Sequence, residues 1–254
     1  MCGYTGFTNH IDNSNRVIED MMDQIRHRGP DAAGRYVDGD IALGHRRLSI
    51  IDITEQGDQP IYNEDRTKVL VFNGEIYNYQ DIRKDLLAAG HVFRTQTDSE
   101  VLIHGYEEYG PELLPRLRGM FSFVIWDTVK KELFGARDFF GIKPLYYAVM
   151  GESFLFGSEI KSFLVHPHFK KELNETALEN YLTFQYSPTE ETFFKNVYKL
   201  PAAHYFTYAN GKLTTRRYWE VKFDADNKPQ LEDWVNEIKT EDRKSGSAGM
   251  PRPI

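Results

Sequence analysis

The chain has 254 residues, 41% hydrophobic and 14% aromatic, which suits one large domain or two small ones with a sizeable core. A formal net charge of −7 and no long basic run argue against nucleic acid and anionic membrane surfaces as partners. No apolar stretch of about 18 residues marks a membrane span, no basic-then-apolar leader marks a signal peptide, and one cysteine cannot form an internal disulfide, so a reducing, cytoplasmic setting is expected.

That one cysteine, Cys2, directly follows Met1. Methionine is generally trimmed when a small residue follows, and the cysteine then becomes the first residue. A thiol at a free N-terminus carries its own base, because the α-amine has a reference pKa of about 7.7–8 and the thiol one of about 8.5. One residue then supplies nucleophile and proton acceptor, as N-terminal threonines do. An accidental cysteine on a frayed end is the competing explanation for the position taken alone.

The short aromatic run 2–7 reads as a strand that would fix this cysteine to a sheet. Ser14 reads as an N-cap for a helix with Val17, Ile18, Met21, Met22 and Ile25 at helical spacing, stopped by Gly29-Pro30. Arg26, His27 and Arg28 at that stop suit either a helix C-terminus or a specific role. Residues 41–45 and 48–53 read as strands with Arg46 and Arg47 between them. Either arginine is a solvated charge or a fork for a carboxylate.

Residues 69–72 read as a buried strand running into Asn73-Gly74. That dipeptide signals a hairpin turn. It also offers a side-chain N–H and a close-approaching backbone N–H that can converge on one oxygen, which is what an oxyanion hole requires. Residues 81–89 predict a helix with Ile82 and Leu86 inward. Thr97 and Glu100 fit a capping box for the next helix, where Asp98 either matches the helix dipole or holds an ammonium group.

Segments 119–127, 132–137, 143–149 and 154–156 follow as four strands, expected to form one antiparallel sheet. A short helix at 160–164, a helix at 175–184, a turn and strand at 199–208 and an amphipathic helix at 231–238 complete the pattern. From Lys244 the sequence lacks periodicity and reads as linker. His166 and His168 flank Pro167 without a neighbouring carboxylate or cysteine, so they read as loop residues, and no metal ligand set is assigned. No nucleophile elbow, zinc-protease helix, dinucleotide fingerprint or Walker loop occurs.

Eight stretches then resemble, in order, the glutaminase domain of glutamine-dependent asparagine synthetases, which are class II (N-terminal nucleophile) glutamine amidotransferases. They are MCG at 1–3, RHRGPD at 26–31, HRRLSIID at 45–52, NGEIYNY at 73–79, TDSEV at 97–101, GMFSF at 119–123, GIKPLYY at 141–147 and GSE at 157–159. The second, third and fourth point to the asparagine synthetase branch within that class. Phe139 stands where the family usually has a proline, a departure that bears on a loop and not on the chemistry.

The resemblance implies an α+β fold, a four-layer α/β/β/α sandwich of two antiparallel sheets of the Ntn-hydrolase type. It implies an amidotransferase domain over residues 1–220, with 221–254 as linker and non-family tail. By position, Cys2 would attack the side-chain amide of glutamine, Asn73 and Gly74 would stabilise the oxyanion, Arg47 would clamp the α-carboxylate, and Glu75 and Asp98 would receive the α-ammonium. No cofactor is expected for this chain. ATP and magnesium belong to a synthetase domain that the family couples to this one and that would receive the ammonia for asparagine formation. A homodimer is compatible with this expectation. Another carboxylate acceptor, or a fragment that only binds glutamine or docks to a synthetase, stays open at this point.

Overall fold

The architecture follows from two sets of strands that are apolar on both faces. The computed structural model describes residues 2–9, 11–49, 57–223 and 230–244. β1 (Gly3–Thr8), β2 (Ala32–Val37), β3 (Ile41–Arg47), β8 (Tyr146–Met150), β9 (Ser153–Gly157) and β10 (Val197–Lys199) form one sheet, in the order β10-β8-β9-β1-β3-β2. β4 (Ile61–Tyr62), β5 (Lys68–Ile76), β6 (Gly119–Asp127), β7 (Glu132–Arg137), β11 (His204–Ala209) and β12 (Lys212–Arg217) form the other, in the order β12-β11-β7-β6-β5-β4. Neighbouring strands in both sheets run antiparallel.

Three apolar cores define four layers. Side chains alternate across a strand, so Val69 and Val71 of β5 face one way and Leu70 and Phe72 the other. The first pair joins Tyr4, Leu43, Trp126, Phe154 and Phe206 between the sheets. The second pair joins Ile82, Leu86, Val101, Leu102 and Phe123 beneath α2 (Tyr79–Ala88) and α3 (Glu100–Tyr109). On the opposite side Ile18 and Met21 of α1 (Ser14–Gln24) pack with Phe7, Ala42, Leu155 and Phe163. The order is therefore helix, sheet, sheet, helix, the sandwich expected. Burial of both faces explains why β5, β6 and β9 read as continuous apolar runs without alternation.

α4 (Glu175–Phe184) has the predicted bounds, with Asn174 Oδ1 accepting from the Ala177 N–H as a cap. α5 (Leu231–Lys244) extends the predicted amphipathic helix. Several expectations are corrected. The four strands predicted to make one sheet are split, β6 and β7 in one and β8 and β9 in the other, because the loop after Arg137 crosses between layers. Ser14 does not cap α1. Asn13 holds that position in the left-handed region, and the Ser14 hydroxyl donates to the Ile11 carbonyl at 2.8 Å. Thr97 and Glu100 form no capping box, because Glu100 turns inward and accepts from the Arg94 and Thr95 backbone N–H groups and the Thr95 hydroxyl, each at 2.7 Å. Arg46 and Arg47 do not lie between strands but end β3. Of the strand predicted at 48–53, Leu48 and Ser49 are irregular and the rest lies outside the described residues. β2, β4, β10 and β12 fall outside the predicted strands; they are short or exposed edge strands with weak patterning.

The loop with the unexpected Phe139 keeps a closed conformation. The buried Asp138 carboxylate accepts from the N–H groups of Phe140, Ile142 and Lys143 at 2.9–3.1 Å. Phe139 packs edge-on against Phe121, Tyr218 and Trp219.

Candidate active site

β1 and β3 from one sheet and β5 from the other converge at one end of the sandwich. Asn73, Gly74 and Glu75 do not form a turn there. β5 continues through them, pairing Asn73 with Ser122, Gly74 with Phe121 and Glu75 with Met120 of β6. The expectation of a strand end is corrected for a steric reason. The neighbour β6 approaches so closely that a Cβ on Gly74 would lie 2.3 Å from the Met120 carbonyl oxygen. Gly74→Ala is accordingly expected to destabilise the domain by more than about 2 kcal/mol, read as a fall in the urea midpoint.

Strand alternation then aims the polar groups. Asn73 has the same parity as Val69 and Val71, so its side chain enters the space between the sheets. It is buried, and its Nδ2 donates to no acceptor among the described residues. Along the other direction, the Phe72 N–H donates to Gln59 Oε1 at 2.7 Å and the Ile76 N–H to Asp98 Oδ2 at 2.8 Å. The Gly74 N–H lies midway on that same strand edge.

Cys2 is tied down by three of the resembling stretches. Its carbonyl accepts from Arg28 Nε at 2.9 Å, and Arg28 Nη1 pairs with Glu159 at 2.9 Å. Ser158 holds the strand two residues on, its hydroxyl accepting from the Tyr4 N–H at 3.1 Å. The Cys2 thiol lies 3.6 Å from the Leu48 carbonyl and accepts from the Leu48 N–H at 3.4 Å. Arg28 thus serves the cysteine and not a helix C-terminus. Of the two arginines on β3, Arg46 pairs with Asp23 on the outer face. Arg47 is buried and its Nη1 meets Asp58 Oδ1 at 2.6 Å, which fixes the guanidinium plane.

A cavity of about 190 Å³ brings together all six residues singled out from the sequence: Cys2, Arg47, Asn73, Gly74, Glu75 and Asp98. Asp98 is buried, and burial pushes its carboxyl up to about 6, opposed by the Ile76 N–H and reinforced by Glu75. Four polar wall residues had no site role assigned from the sequence: Gln59, Thr97, Ser99 and Lys143. Lys143 stood inside a recognised stretch without a role. It is buried, and burial holds its ammonium below the usual lysine range, while the charges of Glu75 and Cys2 raise it. Nothing in the spacing of Gln59 or Lys143 marks either as a wall residue.

Residues 1–219 match the family model described as glutamine amidotransferase domain. The chain belongs to this glutamine amidotransferase family. The domain is 42% identical over 229 residues to glutamine-hydrolysing asparagine synthetase 1 of Bacillus subtilis, covering 88% of this chain and 36% of that protein. It is 36% identical over 238 residues to a protein of Gibberella zeae named amidase chry2, covering 88% of this chain and 35% of that one. The chain thus spans about a third of the length of these curated relatives. Among solved structures, the glutamine phosphoribosylpyrophosphate amidotransferase of B. subtilis matches with a TM-score of 0.65 at 19% identity, over 86% of this chain and 49% of that one. At that identity the likeness bears on the fold alone, and it agrees with the two-sheet sandwich of the amidotransferase domain.

Proposed function

We propose that this chain hydrolyses glutamine to glutamate and ammonia, with Cys2 as nucleophile. The observation that carries the reading is a buried Asn73 Nδ2 with no acceptor among the described residues, in the same cavity wall as the protein's one thiol. In this reading Met1 is removed and the Cys2 amine takes the thiol proton. The sulfur adds to the side-chain amide carbon, and the oxyanion is held by Asn73 Nδ2 and the Gly74 N–H. The amine returns the proton to the leaving nitrogen, ammonia departs, and water cleaves the thioester to glutamate. Arg47 receives the α-carboxylate, and Asp98 with Glu75 the α-ammonium. A cation and two carboxylates in one cavity suit the paired α-carboxylate and α-ammonium of a free amino acid, with the side-chain amide left to reach Cys2. A volume of about 190 Å³ lies below the roughly 300–1,000 Å³ of sites for larger ligands.

The test is ammonia release from glutamine compared with asparagine, one methylene shorter. Rapid release from glutamine alone is expected, and equal release from both would reject the fit. The name of the B. subtilis relative, a glutamine-hydrolysing asparagine synthetase, supports use of this ammonia in asparagine formation; the ATP and magnesium for that step would belong to the synthetase domain that the resemblance implies. The Gibberella relative's name leaves room for another acceptor. Among the described residues no helix is long and apolar enough to cross a membrane, and the cytoplasmic reading rests on the single cysteine.

Asp98 supplies a pH test. Its folded pKa, about 6, lies above the unfolded value near 3.8. Above pH 6 it is an anion that binds ammonium, and below pH 6 it is neutral. Glutamine affinity of a Cys2→Ser variant, measured by calorimetry, is therefore expected to fall as pH drops through 6. Stability has the opposite sign: the folded state holds the proton more tightly, so stability falls as pH rises from about 4 to 6. Asp98→Asn keeps an acceptor for the Ile76 N–H. It is expected to stabilise the ligand-free domain at pH 8 by on the order of 1–3 kcal/mol while weakening glutamine binding. A pH-independent affinity in the parent would remove Asp98 from the ammonium site.

A further inference from the structure

Away from the cavity, the β4–β5 turn, the α2–α3 loop and α3 bring Glu64, His91, His104 and Glu107 together. One donor atom from each lies within 4.8 Å of every other. His104 is fully buried, yet its Nδ1 makes no hydrogen bond among the described residues, although Glu64 Oε2 is 3.3 Å away and Glu107 Oε2 is 3.6 Å away. Glu107 Oε2 is itself buried without a hydrogen bond. His91 Nδ1 faces the same centre, 3.5 Å from Glu64 Oε1. We propose that these four side chains form a binding site for a divalent transition-metal ion of the zinc class.

Three features support a metal. The first is spacing. Ligand atoms about 2.0–2.1 Å from a tetrahedral zinc are separated from one another by about 3.4 Å. The 3.3 and 3.6 Å contacts of His104 Nδ1 with Glu64 Oε2 and Glu107 Oε2 match that edge, and His91 Nδ1 lies 3.5 Å from the other Glu64 oxygen, Oε1. The second is the outer shell. Metal-bound histidines direct their other nitrogen to a carboxylate. His104 Nε2 lies 3.4 Å from Glu100 Oε1, and His91 Nε2 lies 3.5 Å from Glu108 Oε2. Glu100 is anchored by the Arg94 and Thr95 N–H groups. Glu107 Oε1 accepts from Asn63 Nδ2 at 2.7 Å, which leaves Oε2 turned toward the centre. The third is charge. Four carboxylates surround two imidazoles, with Lys68, 3.6 Å from Glu107, as the nearby cation. Two further positive charges at the centre offset that excess.

Two ligands come from α3 at the i, i+3 spacing that helices use to aim a histidine and a glutamate at one ion. The other two come from separate loops. An ion would therefore staple the β4–β5 turn to α3 and to the loop that ends at Asp98. With four protein ligands it would be closed and structural, not catalytic. An ionic cluster around a protonated His104 is the competing arrangement.

The experiment uses chelator-treated protein, as wild type and as Cys2→Ser so that the thiol cannot be a ligand. Each is titrated with zinc by calorimetry and thermal melting, and with cobalt by visible absorption. One ion per chain, a rise in Tm and a tetrahedral-type cobalt band present in both proteins are the expected results. His91→Gln and Glu64→Gln change half-buried side chains, so both are expected to fold. Each should weaken zinc binding at least about tenfold. No cobalt band with an unchanged Tm, or zinc affinity in His91→Gln and Glu64→Gln as tight as in wild type, would overturn the site in favour of the ionic cluster.

Discussion

Cys2→Ala is expected to lower the turnover of glutamine hydrolysis by about 10⁴-fold or more, leaving only what binding and the oxyanion donors provide. Glutamine affinity should change little, because Arg47 and Asp98 hold the charged groups on the substrate's α-carbon in this reading. Stability should also hold. Cys2 is half-buried, and the hydrogen bonds described for its sulfur are those with the Leu48 backbone. A companion measurement isolates the base. Protein retaining Met1 keeps the thiol but locks the amine in a peptide bond. Its turnover should fall by about 10²–10⁴, the usual worth of a positioned proton acceptor. Intact mass identifies which form is assayed. Wild-type rates in Cys2→Ala would sink the nucleophile assignment outright.

The second large effect is expected at Asn73. Asn73→Ala should reduce kcat by about 10²–10³ with little change in KM, the signature of a donor used only when charge develops on the carbonyl oxygen. Its Nδ2 makes no hydrogen bond among the described residues, so losing that donor forfeits none of theirs in the resting fold. The melting temperature is thus expected to drop only by the modest cost of truncating one buried side chain. A large stability loss with unchanged kcat would reassign Asn73 to packing. Gly74→Ala behaves in the opposite way, because β6 presses against it and the cost falls on folding first.

Much of the site was legible because its chemistry is written in residue types at fixed words. A lone thiol behind Met1, an Asn-Gly after an apolar strand, an arginine pair and an aspartate beside a helix start each named a candidate. The local geometry was less legible. Asn73-Gly74 carries a turn signal, yet pairing with β6 holds it extended. Thr97 and Glu100 carry a capping signal, yet Glu100 satisfies buried backbone donors in the preceding loop. In both places tertiary contacts outweigh a local preference worth about 1 kcal/mol. Gln59 and Lys143 could not be read at all, since walls of a cavity are contributed by segments distant in the chain.

The sequence by itself determined the family, the two-sheet α+β class and the list of chemically competent side chains, because those depend on composition, apolar runs and short motifs. The tertiary structure decided which arginine enters the cavity, which edge of β5 bears the Gly74 N–H, and how four late strands divide between layers. It also decided that Glu64 and His91 meet His104 and Glu107 across some forty residues. Register and layer crossing set these outcomes. They are fixed by the simultaneous packing of both sheets and are absent from any local window of the chain.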